Sequence, residues 1–197
     1  MYWGHRFGKA MPVDTMCSLL KKGCLTTGWN CYSNTKSQLY NPAIVAAVEL
    51  GDFNKVHSLM RQNGVNFARS KNLINFTEMT CGDIVIVLPA KKSESYFYVV
   101  RIKSANAKSI LKIPPALHTL NNFVTLDLCE GFKFIPTSHI FDIGFFHEVE
   151  ILDEKPRSSL GGVNVSFPNT NIKYHDNQSY IYDNYVPEIF KSTIPRP

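Results

Sequence analysis

Apolar residues along the chain change period several times, and each change marks an element. Tyr2 to Phe7 alternates, with Trp3 and His5 on one face and Tyr2, Gly4 and Arg6 on the other, which predicts a strand that Gly8 breaks. Met11 to Asp14 reads as a turn with Asp14 as N-cap. Met16, Leu19 and Leu20 then fall on one stripe of a helix over Thr15–Lys22. Lys21 and Lys22 sit where cations suit the helix dipole, and Gly23 is placed to stop the helix in the left-handed conformation. Cys24 to Thr27 favours strand, Gly28 allows close backbone approach, and Trp29-Asn30 is left at the rim, followed by a polar loop over Cys31–Gln38.

Asn41-Pro42 predicts the start of a buried helix over Ala43–Leu50 that Gly51 ends. Asp52 should cap a second helix, Phe53–Gln62, with Phe53, Val56, Leu59 and Met60 as its apolar stripe and Asn63-Gly64 as its stop. Val65 to Met79 fits a helix or an irregular covering segment. After the turn Cys81-Gly82-Asp83, Ile84 to Leu88 is apolar on both faces and should be the central strand of a sheet. Tyr96 to Ile102 returns antiparallel to it. Phe145 to Leu152 is the last clear strand, with His147 on the face of Phe145, Val149 and Ile151, where an imidazole is expected as a satisfied, half-buried residue.

From Asp153 the character changes to a linker-like DEKPRSSLGG and then to an Asn-, Tyr-, Pro- and Ser-rich tail. The organisation expected is therefore a domain over 1–152. A C-terminal extension, 153–197, either packs on it or leads to a further domain, with a short helix over Pro187–Ser192.

Composition narrows the function classes. With 197 residues, 44% hydrophobic and 19% charged, the chain has enough apolar material for one domain of ordinary size. No run reaches the roughly 18 apolar residues of a membrane span, and MYWGHRFGKAM has no apolar signal-peptide core. Five cysteines without a C-x-x-C pair read as reduced core residues, which suits the cytoplasm. A net charge of +5 permits a polyanionic partner. Nucleotide-binding glycine motifs, the nucleophile elbow and H-E-x-x-H are missing, and the six histidines have no zinc spacing. Glu148 and Glu150 share a strand face, but no lysine or second acid converges on them as a nuclease requires. No enzymatic activity, metal or cofactor is expected of this chain.

Trp29 beside Asn30 has the make-up of a site that stacks on a planar ring and hydrogen-bonds its edge; the alternative is that Trp29 packs at the rim of the core.

The order of these segments carries a family likeness. WGHRFGKAM (3–11), LLKKGCLTTGWN (19–30), MTCGDIVIVLPA (79–90), FYVVRIKS (97–104) and FFHEVEIL (145–152) together resemble the PUA-like superfamily that includes EVE and YTH domains. The likeness is greatest to the N-terminal modified-DNA-binding domains of Mrr- and McrB-type restriction proteins. It implies an α+β fold with a small, mixed, barrel-like sheet flanked by helices. The function it implies is reading a base, often modified, flipped from DNA, and so targeting a restriction or antiviral-defence effector such as a nuclease or NTPase. On that pattern Trp29 forms an aromatic wall, with Trp3, Tyr32 or Tyr98 as a second. Asn30 and Cys31 face the base edge. His5, Arg6 and Phe7 line the floor or contact the adjacent phosphate, and Leu88, Pro89 and Ala90 close another side. Lys9, Lys91 and Lys92 would contact phosphate. A PUA-like RNA-binding accessory protein, and an interaction domain without a working pocket, are the other readings.

Overall fold

The structure is a computed structural model that describes residues 1–6, 13–27, 32–33, 38–39, 42–64, 67–88, 96–109, 144–156 and 171–173. Its strands are β1 (Tyr2–Arg6), β2 (Cys24–Thr27), β3 (Tyr32–Ser33), β4 (Gln38–Leu39), β5 (Ile84–Leu88), β6 (Tyr96–Ile102), β7 (Lys108–Ser109), β8 (Phe145–Pro156) and β9 (Asn171–Lys173). Its helices are α1 (Val13–Lys21), α2 (Pro42–Glu49), α3 (Phe53–Gln62) and α4 (Phe67–Glu78). One sheet runs β2-β8-β6-β5-β1-β9, with β7 also on β8, and it curls into a half-barrel. The fold is α+β, as expected. The sheet is mixed because β1 and β5 are parallel while every other neighbouring pair is antiparallel.

β5 is internal, as its continuous apolar run demands, and Ile84 to Val87 are all buried. One face of the sheet carries Trp3, Val85, Val87, Tyr98, Val100 and Ile102 into a core shared with Leu19, Leu20, Val48, Val56, Met60, Leu73 and Phe76 of the helices. On the other face Tyr2, Ile86, Phe97 and Val99 are also nearly inaccessible, so the sheet is covered on both sides.

Backbone chemistry sets the joints. Gly23 follows α1 at φ +87°, where a Cβ would lie 3.2 Å from the Val149 carbonyl, so the helix stops and the chain turns straight onto β8. At Gly51 (φ +70°) a Cβ would meet Asn106 Oδ1 at 2.7 Å, and Asn106 Nδ2 donates to the Glu49 carbonyl. That contact ties the α2–α3 turn to the bend after β6. The Asp52 carboxylate accepts from Lys55 N at 3.0 Å, as expected of an N-cap.

Several expectations are corrected. Helix α1 begins at Val13, so Asp14 lies within its first turn and not at its cap. Part of the loop expected over 31–38 is a short ribbon, with Tyr32 opposite Leu39 and Ser33 opposite Gln38. The ambiguous stretch before Met79 is helix α4. Its period is obscured because asparagines at 72 and 75 interrupt the apolar stripe, and the Thr77 hydroxyl bonds back to the Leu73 carbonyl. The linker-like character at Asp153 is also misleading. Strand β8 continues to Pro156, pairing Asp153–Pro156 with Val99–Tyr96 across a bulge between Val99 and Val100. Further on, β9 adds Asn171–Lys173 to the free edge of β1, so the tail contributes a strand to the sheet.

Candidate base-binding site

Strand register brings part of the expected site into one band. His5 lies opposite Val87, Val87 opposite Tyr98, and Arg6 opposite Leu88. The band is not an open wall. His5 is fully buried and its ring lies 5.9 Å from that of Phe76, while Arg6 is half-buried. Tyr98 is 3% exposed and packs in the core, with Lys21 Nζ 5.9 Å from its ring centroid. Trp3, a candidate second wall, is 1% exposed, and its indole N–H donates to Asp83 at 2.7 Å. Both aromatic faces are taken up by the protein itself. Tyr32 lies in β3. Phe7, Lys9, Trp29, Asn30, Cys31, Pro89, Ala90, Lys91 and Lys92 lie outside the described residues. Thr27 pairs with Phe145 at the start of β8, whereas Tyr98 pairs further along that strand with Glu154.

Among the described residues, a linked polar arrangement lies where β6 leaves β8. The Ser104 hydroxyl is 2.8 Å from His147 Nδ1, and His147 Nε2 is 2.9 Å from the Phe76 carbonyl. A carbonyl only accepts, so Nε2 carries the proton and Nδ1 accepts from Ser104. The Glu148 N–H in turn donates to the Ser104 oxygen at 3.2 Å. Ser104 borders a cleft of about 490 Å³ that also meets Glu49, Lys103, Asn106, Lys108 and Glu148.

A serine hydrogen-bonded to an oriented imidazole has the outline of a nucleophile and its base. Burial argues otherwise. It lowers the His147 pKa from 6.5 to about 4, against the opposing influence of the Phe76 hydrogen bond and Asp83. An imidazole this weakly basic gives little help to a serine at neutral pH. The triplet is a structural pin joining β8, the bend after β6 and α4, and His147 is the satisfied residue expected, though wholly buried.

Asp83 is the second buried polar node. Its carboxylate accepts from the Met1 amine (2.7 Å), Trp3 Nε1 (2.7 Å) and Thr80 N (3.1 Å). In the sequence it reads only as a turn residue. The available signal was a charged side chain directly before a strand apolar on both faces, where ionisation requires partners. Ser104 gave no such signal, because its partner is 43 positions away.

No group of three His, Cys, Asp or Glu among the described residues is arranged to hold a metal ion. No helix among them is long and apolar enough to cross a membrane. No family model, curated protein or solved structure matches the chain.

The thiols give a direct check on this packing. Burial first, then Glu148, raise the Cys24 pKa from 9.0 to about 11, opposed by Lys108, whereas Cys81 is exposed. Iodoacetamide at neutral pH should alkylate Cys81 and leave Cys24 unmodified until denaturant is added. Peptide mass mapping showing rapid native labelling of Cys24 would contradict the placement of β2 against β8.

Proposed function

We propose that this protein is a nucleic-acid-binding reader that takes a flipped, modified DNA base into a pocket bounded by Trp29, and that directs a restriction or defence effector in the cytoplasm. One observation carries the reading. The strands within the five segments of PUA-like character, Tyr2–Arg6, Cys24–Thr27, Ile84–Leu88, Tyr96–Ile102 and Phe145–Pro156, all belong to one curled mixed sheet. Segments scattered over about 150 positions are therefore partners in space, which the order of motifs requires of such a domain.

The energetics are feasible. Extruding a base costs a few kcal/mol, and stacking it on an aromatic ring returns about 1–3 kcal/mol. A methyl group buried in the pocket adds about 1 kcal/mol of discrimination. With Trp3 and Tyr98 committed to the core, the wall opposite Trp29 falls to Tyr32 or to a non-aromatic side. Any catalytic step belongs to the effector.

The test is a binding panel of single- and double-stranded oligonucleotides carrying 5-methyl-, 5-hydroxymethyl- or 4-methylcytosine or N6-methyladenine, beside unmodified DNA and RNA, at two salt concentrations. One modified DNA should bind preferentially at both. Trp29→Ala should weaken that binding roughly 10- to 100-fold, the equivalent of one stacking contact, while the melting temperature moves by only a few degrees. Preference for structured RNA irrespective of modification would replace this reading with the RNA-binding one. Parallel loss of stability and binding would return Trp29 to the core.

A further inference from the structure

The charge of the molecule is concentrated on one helical pair. From Phe53 to Thr77 the chain contains Lys55, Arg61, Arg69 and Lys71 and no aspartate or glutamate, a net of +4 in a protein whose total is +5. This stretch is α3, the connection and α4 up to its last residue, Glu78, which is the only acid in the two helices, so the pair as a whole carries +3. Three cations elsewhere are answered locally: Lys108 pairs with Glu148 (2.6 Å), Arg101 with Glu150 (3.2 Å) and Lys21 with Glu154 (3.4 Å), all on β8. Among the described residues, Lys55, Arg61 and Lys71 form no ion pair, and all three are exposed.

Helix α3 has a face to match. Val56 and Met60 are buried in the core, while Asn54, His57, Ser58, Arg61 and Gln62, spaced three and four apart, line one groove of about 420 Å³. A solvated helix usually mixes both charge signs, because acid–base pairs at four-residue spacing stabilise it. Here the nearest acid, Asp52, is engaged as the N-cap. The groove offers a guanidinium, amides and a hydroxyl. These are the groups that contact phosphodiester oxygens, and no carboxylate among the groove residues repels them.

We propose that the exposed face of α3 is a docking surface for the phosphodiester backbone of nucleic acid, separate from the base pocket and supplying sequence-independent affinity. The inference rests on nucleic acid being the ligand, as proposed above. It assigns backbone attraction to α3, whereas the residues expected from the motifs to contact phosphate were Lys9, Lys91 and Lys92.

The test compares wild type with Lys55→Glu/Arg61→Glu on the preferred modified oligonucleotide and its unmodified counterpart, by fluorescence anisotropy across a salt series. Affinity for both should fall at least ~10-fold. The slope of log affinity against log salt should shrink by about 2, one for each lost phosphate contact. The ratio between the two oligonucleotides should stay the same. Lys22→Glu/Lys103→Glu makes an equal change in net charge away from this face and should cost less than about threefold. The milder Lys55→Gln/Arg61→Gln pair should act in the same direction as the glutamate pair, and melting curves check that every variant is folded.

If both charge-reversed proteins weaken equally, only net charge matters and the surface is wrong. Unchanged binding by Lys55→Glu/Arg61→Glu likewise overturns it, and selective binding by that variant would leave the base-reader function intact. A wild type that binds both oligonucleotides equally, but loses affinity on Lys55→Glu/Arg61→Glu, keeps the surface and removes the reader. Displacement of DNA by polyglutamate as effectively as by competing DNA would mean a general acidic partner and would overturn the proposal.

Discussion

Asp83→Ala is expected to lower unfolding stability by about 3–5 kcal/mol, through donors that would be left without their acceptor. The carboxylate is held inside the fold, with its side chain 8% exposed. The ion pair with the Met1 amine contributes little of this, because that amine is 42% exposed and screened by solvent. Most of the loss comes from the other two partners. Trp3 Nε1–H is buried, and together with the Thr80 N–H it would lose an ionised acceptor; hydrogen bonds to charged groups are worth about 1.5–3 kcal/mol each. A domain of this size has roughly 5–15 kcal/mol in total, so the variant should be marginal. Urea unfolding followed by tryptophan fluorescence gives the comparison, and an unfolding free energy within about 1 kcal/mol of wild type would show that Trp3 does not depend on Asp83. Asp83→Asn should fall between the two, since one amide oxygen still accepts from the indole while the charge is gone.

Stability should also drop on mild acidification, through His147. Its folded pKa of about 4 lies below the unfolded value of 6.5. Between those values the unfolded chain takes up a proton that the folded chain excludes. The contribution of this residue is therefore full and independent of pH above about 6.5, falls as pH is lowered through the window, and levels off below about 4, where both states are protonated. The gap corresponds to about 3 kcal/mol. Protonation would put a donor on Nδ1, facing the Ser104 hydroxyl that now donates to it, and a charge between β8 and α4. His147→Gln should start from lower stability at pH 7 and show a shallower decline, which isolates this group from the buried His5 and the carboxylates. An equally steep decline in the variant would assign the acid sensitivity elsewhere.

Both nodes show how local and long-range information divide. The GD turn before Ile84 was legible because glycine and a five-residue apolar run are local signals. That Asp83 carries Trp3 was not, since the partner sits on a parallel strand 80 positions away. The likeness of the first strand to a base-binding motif suggested open aromatic walls. The register instead turns Trp3 and Tyr98 onto the core face, and alternation alone cannot say which face of a two-sided sheet is exposed. Positive charge that looks scattered along the chain likewise conceals the acid-free stretch from Phe53 to Thr77. The signal was present in the sequence, but its meaning depended on knowing that β8 neutralises the cations around it.

Several elements and their joints were legible locally: a glycine-stopped α1, a proline-started α2, an aspartate-capped α3 and an internal β5. Each follows from forces acting within a few residues, namely φ/ψ sterics, capping hydrogen bonds and the period of apolar side chains. Long-range packing sets the rest: β8 outlasts its apolar alternation, residues 171–173 close onto β1, and Ser104, His147 and Phe76 meet. Those outcomes depend on backbone groups and side chains finding partners across 43 to 170 positions. Pairing at that range is chosen by the free energy of the whole packed sheet, and no local stretch of residues encodes it.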